Sequence, residues 1–360
     1  MALNDEIRIG VIGAGNIGNV HILGLLETPG VTVAAVADVF LPLAEARAKE
    51  HQISKVYGNG EDLIHDPDID AVVIAVSNEW HAPLAVKALQ AGKHVLLEKP
   101  MAIDVKAAKE IVLAERESGK VLMISHQRRW EPLNMQVKEL VQRGKLGSIY
   151  HAKTGWLRRK GIPGWGTWFT QMSKSGGGPL IDIGVHMLDL SLSLMGNPRP
   201  VSVFGATYSE FGPKRRGIGS WGKPNWSGSY DVEDLATALI KMDNGSTLTL
   251  DVSWAALTET DNQPYIHLLG TEGGATLRGS TYGKLFAEMF DKEIDVELQL
   301  PEQQTDPRLL MNMHFLECIR TGSEPLTSVM SGYTNNLILN AIYESSRTGK
   351  EVELDWDLSN

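Results

Sequence analysis

Residues 7–26 read IRIGVIGAGNIGNVHILGLL. Ile7, Ile9, Val11 and Ile12 form a short, nearly continuous apolar run, the pattern of a parallel strand buried on both faces. Gly13, Gly15 and Gly18 follow as G-x-G-x-x-G, with Asn16 and Ile17 at the start of a helical pattern through Val20, Leu23, Leu25 and Leu26. In such a turn the first glycine permits the tight bend and the second lets a pyrophosphate approach the backbone. The third lets the helix pack close to the strand. The helix start offers free N–H groups and a positive dipole end to the phosphates.

A second apolar run, Val31–Ala37, ends in Asp38, twenty residues after Gly18. That spacing suits a carboxylate accepting from both adenosine ribose hydroxyls. Val39 and Phe40 supply no cation for a 2′-phosphate, so NAD is expected rather than NADP. The competing reading makes Asp38 the cap of the helix starting at Leu41.

Strand and helix patterns go on alternating to about residue 125: helix 41–51, strands 56–57 and 71–76, a helix to 91, strand 94–98, a helix to 118 capped by Asp104, and strand 121–125. This alternation is that of an α/β, doubly wound parallel sheet, with ligands at the carboxyl ends of its strands. Residues 1–125 are therefore expected to bind a dinucleotide. Past Gln127 the rhythm changes. A helix (132–143), a strand (148–157), a glycine- and tryptophan-rich loop and a second helix (181–194) precede six strand patterns between 201 and 300. Two closing helices follow at 308–320 and 331–348. Turn signals such as Asp243-Asn244-Gly245 mark antiparallel hairpins. Residues 126–360 are expected to form an α+β substrate-binding and oligomerisation domain, with a large, mostly antiparallel open sheet carrying helices on one face. Residues 210–231 read as a long loop, a lid or an interface arm.

At 360 residues the chain has room for two domains, and 42% hydrophobic with 22% charged residues is ordinary for a globular protein. A net charge of −10 with dispersed lysines and arginines argues against nucleic-acid or anionic-membrane partners. The single cysteine, Cys318, fits a reducing, cytoplasmic setting. The first strand begins within a few residues of Met1, so no secretory leader is expected. No apolar run approaches the ~20 residues that span a bilayer.

Three residues are candidates for chemistry. Lys99 lies just past a strand carboxyl end in Glu98-Lys99-Pro100, where a nicotinamide is expected. Pro100 admits a cis bond that would fix the lysine's direction. Asp182 and His186, behind Gly176-Gly177-Gly178, are four apart and stack on one helix face, with Asp189 a turn further on. The three glycines would let backbone approach a ligand. A surface ion pair or a pair of metal ligands are the bland readings of Asp182 and His186, and no third ligand is evident.

These motifs resemble the Gfo/Idh/MocA family of sugar and polyol oxidoreductases: the glycine motif at 13–18, Glu98-Lys99-Pro100, and the G-G-G-x-x-x-D-x-G-x-H-x-x-D pattern from Gly176 to Asp189. The resemblance covers nearly the whole chain. It implies Lys99, Asp182 and His186 as the catalytic set and Ser77, Asn78, His81 and Glu98 along the cofactor. It also implies homodimers or homotetramers. The chemistry agrees with the residue types. Oxidising a secondary alcohol needs a base, for which His186 is suited. It also needs a positive charge such as Lys99 to stabilise the developing alkoxide. Asp182 would orient substrate or imidazole. Arg128, Trp130, Arg158, Trp165 and Trp168 are expected to line a pocket for a neutral pyranose or inositol, since aromatic faces stack on sugar rings. No metal is expected. Two alternatives stay open: glycoside hydrolysis through a transient NAD redox cycle, and a dinucleotide-binding regulator without turnover.

Overall fold

The computed structural model describes residues 6–259 and 261–358. The chain first forms β1 (Ile7–Ile12), α1 (Asn16–Leu26), β2 (Val31–Ala37), α2 (Leu41–His51), β3 (Lys55–Tyr57) and α3 (Gly60–Ile64). Then come β4 (Ala71–Ile74), α4 (His81–Gln90), β5 (His94–Leu97), α5 (Val105–Ser118) and β6 (Leu122–Ile124). The six strands make one parallel sheet in the order β3-β2-β1-β4-β5-β6. The central strands are apolar on both sides because helices cover both faces: every residue of β4 and β6 is buried. The order reverses between β1 and β4, where such sheets open a crevice for ligands.

A second sheet follows. From there the chain forms α6 (Pro132–Gln142), β7 (Ile149–Leu157), α7 (Met172–Ser175), α8 (Val185–Leu194), β8 (Pro200–Tyr208), β9 (Leu235–Met242), β10 (Thr247–Ser253) and β11 (Gln263–Gly270). They continue as β12 (Gly273–Arg278), β13 (Tyr282–Met289), β14 (Lys292–Glu297), α9 (Pro307–Thr321), α10 (Val329–Thr348) and β15 (Val352–Glu353). Nine strands run β14-β13-β12-β11-β7-β10-β9-β8-β15. All neighbours are antiparallel except β7 and β10. Period-two patterning gives this sheet its two faces. Ala236, Ala238, Ile240, Leu248, Leu250 and Val252 are buried towards α8, while Leu239, Lys241 and Asp251 stay at least partly exposed. β12 is not among the six expected strands. Its ladder partners on both sides make it a strand.

Two compact units result: Met1–Gln127 with Thr305–Tyr333, and Arg128–Gln304 with Thr334–Asn360. The sequence reading gives everything after 125 to the second domain, but 305–333 returns to the first unit. α9 packs on α1, Asn312 Nδ2 donates to Thr28 Oγ1 (3.3 Å), and Ile124 N donates to Thr327 O (2.9 Å).

Residues 210–231 are laid along 161–166. Ile162 N donates to Gly217 O, Gly219 N to Ile162 O, Gly164 N to Trp221 O and Asn225 N to Trp165 O, all within 2.7–3.0 Å. The segment is thus a loop paired to the rest of its unit. Among the described residues no helix is long and apolar enough to cross a membrane.

The cap of α5 is as read: Asp104 Oδ1 accepts from Ala107 N at 2.8 Å. Asp104→Ala is expected to cost about 1 kcal/mol, seen as a lower urea midpoint for the first unit with an unchanged m-value.

Candidate functional site

In the first unit the glycine loop sits at the carboxyl end of β1. Gly13 has φ +101°, and a Cβ there would lie 2.3 Å from Ala75 O. A Cβ on Gly18 would lie 1.7 Å from Gly13 O. Both glycines are therefore required by the protein's own packing. Gly15 is different. A Cβ there meets no protein atom within 4 Å, and Gly15, Asn16 and Ile17 are exposed at the start of α1. That is the arrangement expected where a phosphate, not the protein, needs the space.

Asp38, past the end of β2, accepts from Ala14 N through Oδ2 and from Phe40 N through Oδ1, both at 2.8 Å. It does not cap α2, whose N-cap is Phe40 with no side-chain cap bond. Its carboxylate is locked against the glycine loop and keeps acceptor capacity for ribose hydroxyls. The residues present thus fit a dinucleotide.

Ser77 and Asn78 follow β4, and Glu98 and Lys99 follow β5. Ser77 Oγ donates to Glu79 Oε1 (3.3 Å), and Asn78 is buried. Glu98 pairs with buried His21 (Nε2 to Oε1, 2.8 Å) and accepts from Lys99 N at 3.1 Å. Burial opposes the charge on Glu98, but His21, Lys99 and Ser125 outweigh it and hold the carboxyl down at about 2. The Lys99–Pro100 bond is cis. His81 is buried and both ring nitrogens face main-chain carbonyls, Nδ1 to Pro100 O (2.7 Å) and Nε2 to Val76 O (3.2 Å). Burial pushes its pKa down. His81 thereby ties together the two turns that carry Ser77 and Lys99.

In the second unit, Asp182 lies in a π-helical turn, Leu180–Gly184, that runs into α8, where His186 occupies the first turn. Such turns inside helices recur at functional sites. Asp182 Oδ2 accepts from the indole Nε1 of fully buried Trp254 at 3.0 Å. His186 is buried, with its ring 6.4 Å from that of Trp156. The Arg128 and Arg158 guanidiniums each stand 4.7 Å from the Trp156 ring centroid. Arg158 Nε also donates to Asn262 Oδ1 (3.0 Å), as does Trp156 Nε1 (2.9 Å). Burial lowers the pKa of both guanidiniums, opposed by Asp182 and Asp261 for Arg158 and by Glu131 for Arg128. The result is a half-buried aromatic face, two cations, a carboxylate and an imidazole gathered in one unit.

Most of the other expected residues make contacts within the framework. Asp189 is buried in a bidentate pair with Arg129 (2.7 and 2.6 Å). Trp130 is buried. Trp165 is also buried, donates to Gly212 O (2.8 Å) and stacks on Tyr230, with the Arg215 guanidinium over its ring at 4.8 Å. It anchors the 210–231 segment. Trp168 stacks on Phe169 and stays half-buried. The glycines before Asp182 have a reason other than a ligand. A Cβ on Gly177 would lie 1.8 Å from Tyr343 Oη, and one on Gly178 2.1 Å from Glu233 O. Sequence reasoning missed Trp254, read only as a strand end, and Glu233. The available signal was the adjacent acids Glu233-Asp234 ahead of an apolar strand. Among the described residues no three His, Cys, Asp or Glu side chains are grouped as metal ligands.

Two family models match the chain: an oxidoreductase family with an NAD-binding Rossmann fold over residues 7–126, and the GFO/IDH/MocA C-terminal domain over 134–276. D-glucoside 3-dehydrogenase of Escherichia coli K12 is 32% identical over 355 residues, covering 98% of each chain. The scyllo-inositol 2-dehydrogenase (NAD(+)) of Bacillus subtilis 168 is 27% identical over 365 residues, also covering 98% of each. Among solved structures, levoglucosan dehydrogenase in complex with NADH and levoglucosan superposes with a TM-score of 0.88 at 23% identity, over 97% of this chain and 100% of that one. The last likeness is one of fold.

The glycine geometry separates two variants. Gly18→Ala is expected to lower the melting temperature sharply, because the carbonyl of Gly13 cannot yield. Gly15→Ala is expected to leave melting near wild type and weaken NADH binding at least about tenfold. Thermal scans and NADH fluorescence titration check both.

Proposed function

Because the chain belongs to the Gfo/Idh/MocA oxidoreductase family, we propose that it is an NAD-dependent dehydrogenase acting on a ring secondary alcohol of a neutral pyranoside or a related cyclic polyol. The observation that carries this reading is the gathering of Asp182, His186, Trp156, Arg128 and Arg158 in one unit. NAD held by the glycine loop and Asp38 would supply the hydride acceptor. His186 accepts the hydroxyl proton, which an imidazole can do near neutral pH. Asp182, held by Trp254, orients the hydroxyl or the imidazole. Lys99 stabilises negative charge developing on the substrate oxygen. In reverse, the same groups reduce a ketone.

A neutral ring suits the charges present. Arg128 and Arg158 already face Glu131, Asp182 and Asp261, so an anionic substrate finds no surplus cation between them. Trp156 and Trp168 supply apolar faces for a sugar ring, and the two arginines supply donors for its hydroxyls. The full-length likeness to a glucoside dehydrogenase and an inositol dehydrogenase supports the same class. NAD is favoured over NADP because Asp38 would repel a 2′-phosphate. The uncovered sheet face, with Phe204, Leu239 and Phe286 exposed, supports a homodimer or homotetramer. The free thiol of Cys318 supports a cytoplasmic setting.

NADH formation is expected with at least one member of a panel of methyl glycosides, anhydrosugars and inositols. Glycoside cleavage without NADH formation across that panel would refute the assignment. His186→Asn is expected to lower kcat at least about a hundredfold while leaving NADH affinity near wild type. Asp38→Ala is expected to narrow the ratio of NADPH to NADH dissociation constants by about tenfold, the loss of hydrogen bonds to a charged group.

A further inference from the structure

We infer that Glu233 is a positioning residue for Asp182, an assignment that rests on the role given to Asp182 above. Glu233 precedes β9 and is 5% exposed. Its carboxyl group accepts from three donors in four contacts: Gly178 N at both oxygens (3.0 and 2.9 Å), and Leu180 N and the Tyr343 hydroxyl at Oε1 (3.0 Å each), and so takes in the backbone that opens the π-helical turn. Gly178 O in turn accepts from Asp182 N at 3.0 Å. One buried carboxyl group therefore holds the peptide units on which Asp182 is built.

The adjacent residue holds the other half of the same contact. Asp234 O accepts from Trp254 N (3.0 Å) and Ser253 Oγ (2.8 Å), and the Trp254 indole donates to Asp182. Both sides of the Asp182–Trp254 hydrogen bond are thus mounted on Glu233-Asp234. The Asp234 side chain has a separate task, accepting from Phe211 N (2.6 Å) and Gly212 N (2.9 Å) in the neighbouring loop. A glutamine at 233 cannot take over. Its amide N–H at the Oε2 position would face the N–H of Gly178, a donor against a donor in a buried site.

The test uses full-length protein labelled with 15N in its indoles. The Trp254 Nε1–H resonance is assigned by its absence in Trp254→Phe, and the effect of breaking its bond is read from Asp182→Asn. Glu233→Gln is expected to shift this resonance towards its Asp182→Asn position, and Tyr343→Phe to shift it part of the way. Asp234→Asn is expected to leave it in place. In kinetics Glu233→Gln should lower kcat at least about tenfold at unchanged NADH affinity, a split that general loosening would not give. A Trp254 resonance unmoved in Glu233→Gln and Tyr343→Phe, or moved equally in Asp234→Asn, overturns the assignment. If Glu233→Gln does not fold, Tyr343→Phe decides alone. Wild-type protein inactive across the sugar panel would refute the proposed reaction, while the resonance would still decide whether Glu233 positions Asp182.

Discussion

The carbonyl oxygen of Gly13 occupies the place that a side chain at residue 18 would need, 1.7 Å from an added Cβ. This exclusion sets how sharply the chain turns from β1 into α1. The turn brings the exposed, positively polarised start of α1 to the carboxyl end of β1. It also presents Ala14 N to Asp38 from the end of β2. With the sheet parallel, the segments after β4 and β5 emerge on the same edge, which is how Ser77, Asn78, Glu98 and Lys99 come to one rim.

The second unit is held by a different constraint. Its catalytic candidates stand on a segment that is buried almost throughout, so every polar group there needs a partner. Asp189 finds Arg129 and Asn335, Asp182 finds Trp254, and Glu233 finds three donors. These buried contacts give α8 one orientation where an apolar helix of the same size could slide or rotate. The same logic explains the glycines at 177 and 178: Tyr343 and Glu233 come too close for side chains. A glycine run beside a proposed site is here a packing requirement.

The aromatic residues divide along similar lines. Trp156, between β7 and two guanidiniums, keeps part of its surface open, whereas Trp165 is covered by Tyr230, Trp226 and Arg215 and fastens a loop. Both lie in the same tryptophan-rich stretch, and nothing in their immediate sequence distinguishes them. Exposure follows from what the 210–231 segment covers, a matter decided some fifty residues downstream.

The strand–glycine–helix order, the acid at 38, the cap at 104 and the alternation of the first half are properties of neighbouring residues, and the sequence alone determines them. Steric size, helix periodicity and capping act over a few positions. What the sequence left undetermined depends on residues far apart: the strand status of β12, the return of 305–333 to the first unit, and the contacts that aim Asp182. Glu233 lies 55 positions from Gly178 and Trp254 lies 72 from Asp182. No local preference encodes such pairs. They are chosen when burial removes water and leaves each polar group only the partners that the folded chain brings near, so only the tertiary structure could decide them.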